Sequence, residues 1–124
     1  MKKAEIIKTM RDYSAAVQEA QGLRRIRDAV EADPDYWIPW REEDVERLEE
    51  LERMMADCWG VVQDVIDGIR GDWDGIPMAA WVRYYYTGDG SDIPAGTTVS
   101  TSTDSYEARE RAMTEAIGRV RLRC

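Results

Sequence analysis

The stretch that decides the fold is Leu48-Glu49-Glu50-Leu51-Glu52-Arg53-Met54-Met55-Ala56-Asp57-Cys58-Trp59-Gly60-Val61-Val62-Gln63-Asp64-Val65-Ile66-Asp67-Gly68-Ile69. Within it Leu48, Leu51, Met55, Cys58, Val62, Val65 and Ile69 recur at alternating spacings of three and four. That alternation is the a/d seam of a coiled coil or of a long packed helical hairpin. Val45, Trp59 and Ile66 widen the stripe to one side, and Glu42, Glu43 and Asp44 place acids in the first turn, where the helix dipole favours them. A helix over residues 42–69 spans about 42 Å at ~1.5 Å per residue.

Upstream lies a partner of matching length. Ile6, Met10, Tyr13, Val17 and Ala20 mark one face of a helix predicted over Lys3–Ala32, continued by Leu23, Ile26 and Val30 and weakened only at Gly22. Asp33-Pro34 ends it, because a residue before proline avoids the α region. The connector Tyr36-Trp37-Ile38-Pro39-Trp40 is short enough for antiparallel packing. Residues 1–70 are therefore predicted to form a helical hairpin whose remaining apolar surface supports self-association as a homodimer. Trp37 and Trp40 either anchor a partner or cap the open end of that hairpin.

Downstream, Gly71-Asp72-Trp73-Asp74-Gly75 reads as a turn. It lacks the first and last carboxylates of a calcium loop, since Arg70 and Trp81 stand in those places. A short helix follows over about Pro77–Tyr86 and stops at Gly88-Asp89-Gly90. Residues 91–103 are rich in Ser and Thr, and Thr97-Thr98-Val99 disfavours a long helix there. Asp104 with Glu107 reads as the N-cap pair of a last helix, whose apolar face is Tyr106, Met113, Ile117 and Val120, with Ala112 and Ala116 beside it. The fold class expected is all-α: a long antiparallel hairpin followed by a small helix-turn-helix-like module over residues 71–124.

Composition narrows function. The 124 residues are the length of one ordinary domain, and 34% charged with 44% apolar residues is a globular balance. There is no histidine, which excludes histidine triads, histidine bases and histidine-ligated zinc. Two cysteines are too few for a Cys₄ site or a disulfide framework. Cys58 on the seam reads as a small apolar residue, Cys124 as an exposed thiol. No enzyme activity, metal or cofactor is expected. No stretch approaches the ~20 apolar residues that span a bilayer, and no signal follows the basic start, so the cytoplasm of a bacterial host cell is the compartment expected.

The formal charge of −8 is uneven. Residues 80–124 balance six basic against six acidic side chains, so the negative charge belongs to residues 1–79, and the last six residues carry Arg119, Arg121 and Arg123 without an acid. The acidic run over residues 42–50 reads as a solvated helix face held by Glu43–Arg47 and Glu49–Arg53 pairs. A second reading makes it a mimic of a phosphate backbone.

The order of the C-terminal elements carries a resemblance. Asp64-Val65-Ile66-Asp67-Gly68-Ile69, then Ile76-Pro77-Met78, then Arg83-Tyr84-Tyr85 with Gly88, then Ser105-Tyr106-Glu107-Ala108-Arg109 with Arg111-Ala112, resembles small phage transcriptional regulators of the RinA and ArpU kind. Those join a coiled-coil segment to a helix-turn-helix like region four of a sigma factor. In place of the family's middle helix stands Ser91-Asp92-Ile93-Pro94-Ala95-Gly96-Thr97-Thr98-Val99. The resemblance implies DNA binding by the start of the last helix, through Ser102, Thr103, Ser105, Ala108, Arg109 and Arg111, with Arg119, Arg121 and Arg123 on the backbone beyond the groove. RNA polymerase is a partner it implies as well. Asp104, Glu107 and Glu110 on the same stretch repel phosphate. The contrasting expectation is an acidic protein that inhibits a host nucleic-acid enzyme and binds no DNA. The tyrosine run 84–86 is expected to pack in the core, because successive helical residues point ~100° apart and cannot build one flat stacking platform.

Overall fold

The computed structural model describes residues 2–97 and 102–122. Its order is α1 (Lys3–Ala32), α2 (Glu42–Gly68), β1 (Asp72–Trp73), β2 (Ile76–Pro77), α3 (Met78–Thr87) and α4 (Thr103–Gly118). Among the described residues the fold is all-α apart from a ribbon of two strands with two residues each.

α1 and α2 form the predicted antiparallel hairpin. At its closed end Ala16 and Ala20 of α1 meet Leu48 and Leu51 of α2, with Leu23, Trp40 and Met55 against them. The small alanines let the helices approach closely there. At the other end Ile6, Met10, Tyr13 and Val17 meet Val62, Val65 and Ile66, and α3 and α4 close over them with Trp81, Val82, Tyr86, Met113, Ile117 and Val120. One continuous core thus draws on all four helices, so residues 1–70 and 71–124 share their interior instead of each owning one.

Charged residues stitch the hairpin from outside. Arg47 reaches across to Glu19 with two hydrogen bonds, the one from Nη2 at 2.9 Å, and also contacts Glu50 at 3.2 Å. Arg24 reaches Glu52 at 3.3 Å. The hydrogen bond from Arg47 holds the Glu19 carboxyl below its ordinary pKa. The pairs expected within α2, Glu43–Arg47 and Glu49–Arg53, do not form among the described residues. Arg47 instead finds a bidentate partner on the facing helix, a geometry that suits its planar fork better than a neighbour on its own helix.

The hairpin loop is built by local bonds. The Asp33 carboxylate accepts from the Asp35 amide at 3.0 Å, and the Tyr36 amide donates to the Asp33 carbonyl at 3.0 Å. At the start of α2 the Arg41 amide donates to the Asp44 carboxylate at 3.0 Å, satisfying a donor the helix leaves free.

The segment read as a plain turn is a small hairpin. Asp72 pairs with Pro77 and Trp73 with Ile76. Asp74 (φ 53°) and Gly75 (φ 75°) occupy its two central positions, the left-handed backbone that an Asp-Gly turn supplies. The ribbon turns the chain from α2 into α3, and the Trp81 indole N–H donates to the Trp73 carbonyl at 2.9 Å, tying α3 to it. α3 ends at Gly88 (φ 80°), whose amide donates to Tyr84 at 3.1 Å.

Candidate functional site

The predicted DNA-reading end of α4 is arranged differently from its sequence reading. The N-cap is Ser102, whose hydroxyl accepts from the Ser105 amide at 3.3 Å; Asp104 lies inside the first turn. The correction is one of register: the hydroxyl two residues upstream reaches the free amides of that turn, and Asp104 then sits where the dipole favours an acid. Ser105 is half-buried, and the Thr103 side chain lies outside the described residues, as do Arg123, Cys124 and residues 98–101.

Arg109 was expected at a groove. It is 6% exposed, in the interior. Its guanidinium lies 5.8 Å from the Trp81 ring centre and 5.4 Å from that of Tyr85, a cation–π position beside two rings of α3. Burial pushes the Tyr85 hydroxyl above its ordinary pKa while the Arg109 charge opposes that shift. Tyr106, assigned to the apolar face, is 48% exposed and touches Tyr85 edge-on at 6.2 Å. The two residues have exchanged places. Stepping back four from Met113 reaches 109, so the periodicity itself puts Arg109 on the buried stripe.

The remaining basic candidates do lie outside. Arg111 and Arg121 are exposed, as is Arg119, 3.9 Å from Glu115. With Arg109 withdrawn, the exposed charge of α4 itself is Arg111 against Asp104, Glu107, Glu110 and Glu115. Arg83 of the aromatic motif is also engaged, 3.2 Å from Asp92 and 3.9 Å from Asp89. It clamps the loop after α3, where the resemblance places a middle helix. The described part of that loop consists of turns, with the Ile93 amide on Gly90 and the Thr97 amide on Pro94. The tyrosine run is core only in part: Tyr86 is buried and Tyr85 half-buried, whereas Tyr84, expected inside, is 39% exposed and covers Gly90 from outside.

The heptad seam is consumed within the chain. Leu48, Leu51, Val62, Val65 and Ile69 are buried, and Met55 and Cys58 half-buried against α1 and the core. These seam residues pack within the hairpin, while Val45, Met54 and Trp59 of the same helix are part-exposed.

α2 shows solvent many acids, together with the part-exposed Val45, Met54 and Trp59. Glu42, Glu43, Glu46, Glu49, Glu50, Asp57, Asp64 and Asp67 are exposed, Glu50 being paired with Arg47, and Arg53, Ala56 and Gly60 are exposed among them. Eight carboxylates over about 38 Å give one charge per ~5 Å, against one phosphate per ~3.4 Å along a DNA strand. At the closed end of the hairpin the two connector tryptophans part. Trp40 covers Leu48 and Leu51, whereas Trp37 is 80% exposed with Tyr36 beside it at 6.1 Å.

Among the described residues no group of three or more cysteine or carboxylate side chains is placed to hold a metal, and no helix is long and apolar enough to cross a membrane. No protein-family profile matches the chain, and neither curated proteins nor solved structures include a significant match to it.

Proposed function

We propose that this chain is an acidic interaction protein that engages the basic surface of a nucleic-acid-binding partner and competes there with nucleic acid. The observation that carries the reading is the row of exposed carboxylates along α2, which averages one per ~5 Å of helix. The hairpin supports it mechanically: the buried contacts of Ala16, Ala20, Leu48 and Leu51, and of Ile6, Met10, Val62 and Val65, hold α2 against α1 beneath the charges. The burial of Arg109 supports it too, because it removes a cation from the only helix with a claim on a DNA groove.

The test is competition on a defined polycation. Fluorescent duplex DNA bound to poly-lysine is displaced by the wild-type protein at low salt, and displacement weakens as salt rises. Reversal of Glu46, Glu49 and Asp57 to lysine should abolish displacement with the fold intact. Undiminished displacement by that variant would defeat the reading.

A second reading, a phage-type transcriptional regulator that binds DNA, keeps one observation in its favour: Arg111, Arg119 and Arg121 all reach solvent on or beyond α4. It predicts a salt-dependent gel shift whose slope falls by about one for each of Arg111 and Arg121 changed to alanine.

A further inference from the structure

We infer that the closed end of the hairpin is a docking tip that inserts Trp37 into an apolar pocket rimmed by lysine or arginine on a partner protein. The inference rests on the acidic-interaction reading and names where the partner's apolar contact falls.

The connector is able to bury an indole, since Trp40 three residues on lies against Leu48 and Leu51. Trp37 receives no such cover and keeps four fifths of its surface in water. Single exposed apolar residues are ordinary, but tryptophan brings the largest apolar surface of any side chain and is the residue most enriched where binding energy concentrates. The loop that carries it is also fixed in advance. Pro34 and Pro39 restrict the backbone, the Asp33 carboxylate holds the Asp35 amide, and the Asp33 carbonyl holds the Tyr36 amide. A side chain presented on a fixed loop loses little freedom on docking.

Charge then selects the partner. Residues 31–43, the segment that carries Trp37, hold Glu31, Asp33, Asp35, Glu42 and Glu43 against Arg41 alone, all exposed. A tip of that sign is repelled by anionic lipid and by nucleic acid, and is attracted to a basic protein rim. The complement is an apolar pocket ringed by cations.

The probes are three labelled peptides: an amphipathic leucine/lysine helix, the same pattern with glutamate, and poly-lysine. At moderate salt the leucine/lysine helix should bind about tenfold tighter than poly-lysine, and the glutamate peptide should not bind. Trp37→Ala should remove that tenfold advantage and leave poly-lysine binding unchanged, while circular dichroism and thermal melting confirm the fold. Asp33→Asn with Asp35→Asn should weaken the leucine/lysine helix and flatten its salt dependence. Equal affinity of Trp37→Ala and the parent for that helix overturns the tip and leaves the α2 reading standing. Failure of every cationic probe overturns both.

Discussion

The guanidinium of Arg109 sits 5.8 Å from the centre of the Trp81 ring, on the inner side of α4. A charge in the interior contributes through the groups that face it, and among these are the rings of Trp81 and Tyr85. Arg109→Ala should lower stability by about 2 kcal/mol, through the lost cation–π contact and the packing of the arginine stem. Arg109→Lys should recover less than half of that, since an ammonium cannot lie flat against a ring. Urea unfolding of the three proteins measures both differences. A neutral Arg109→Ala would show that the arginine only occupies space.

Leu51 is almost fully buried against Ala16 and Ala20. Leu51→Ala should destabilise by about 3 kcal/mol and leave the molar mass in solution unchanged, as read by light scattering. A dimer that dissociates on this substitution would mean that the seam also binds a second copy.

Glycines at two positions should respond with opposite signs. Gly88 has φ +80°, and a Cβ there would stand 2.6 Å from Nε2 of Gln21. Gly88→Ala should therefore destabilise by about 1–2 kcal/mol, the cost of a left-handed backbone for an L-residue. Gly60 lies within α2, and a Cβ there would meet nothing within 4 Å. Gly60→Ala should stabilise by about 0.5–1 kcal/mol through helix propensity alone. Thermal melting of the two variants reads the contrast.

Stability should fall at both ends of the pH range. The Glu19 carboxyl is held below its ordinary value of 4.5 by the hydrogen bond from Arg47, and Asp89 below 3.8 by its bonds to Ser91. Their contribution is complete above those unfolded values and is lost as pH falls through the lower folded ones. Burial raises the hydroxyls of Tyr13, Tyr85 and Tyr86 above 10.0. Their contribution is complete below pH 10 and is lost as pH rises through the raised values. Denaturant midpoints should be flat between about pH 5 and 9 and drop on either side; Arg47→Met should flatten the acid limb.

The helices were legible because their signals repeat. Seven seam residues of α2 and eight apolar residues of α1 fix two helices and their antiparallel pairing, and Asp33-Pro34 and Gly88 mark ends that the backbone confirms. Single decisions were harder to read. Ser102 and Asp104 are both good caps two residues apart, and which one serves depends on where the preceding loop delivers the chain. Arg109 stands on the buried stripe by spacing, yet its charge points to the surface. Only the rings that α3 presents to it, on a different segment, reverse that expectation. Trp37 and Trp40 are the same residue type in the same loop, and the turn bonds of Asp33 and Arg41 decide which of them faces Leu48.

Because the core is shared by all four helices, it can close only after the last of them is made. Val120 fills the wall opposite Gly68, where its Cγ1 lies 2.9 Å from the place a Cβ would take, and it belongs to the same cluster as Ile6 and Ile66. The hairpin leaves the ribosome first, with the open half of that wall still wet. At about 5–20 residues per second, the interval between the emergence of Ile69 and that of Val120 is several seconds. Throughout it Ile6, Met10, Val62 and Ile66 lack the part of their cover that α3 and α4 supply.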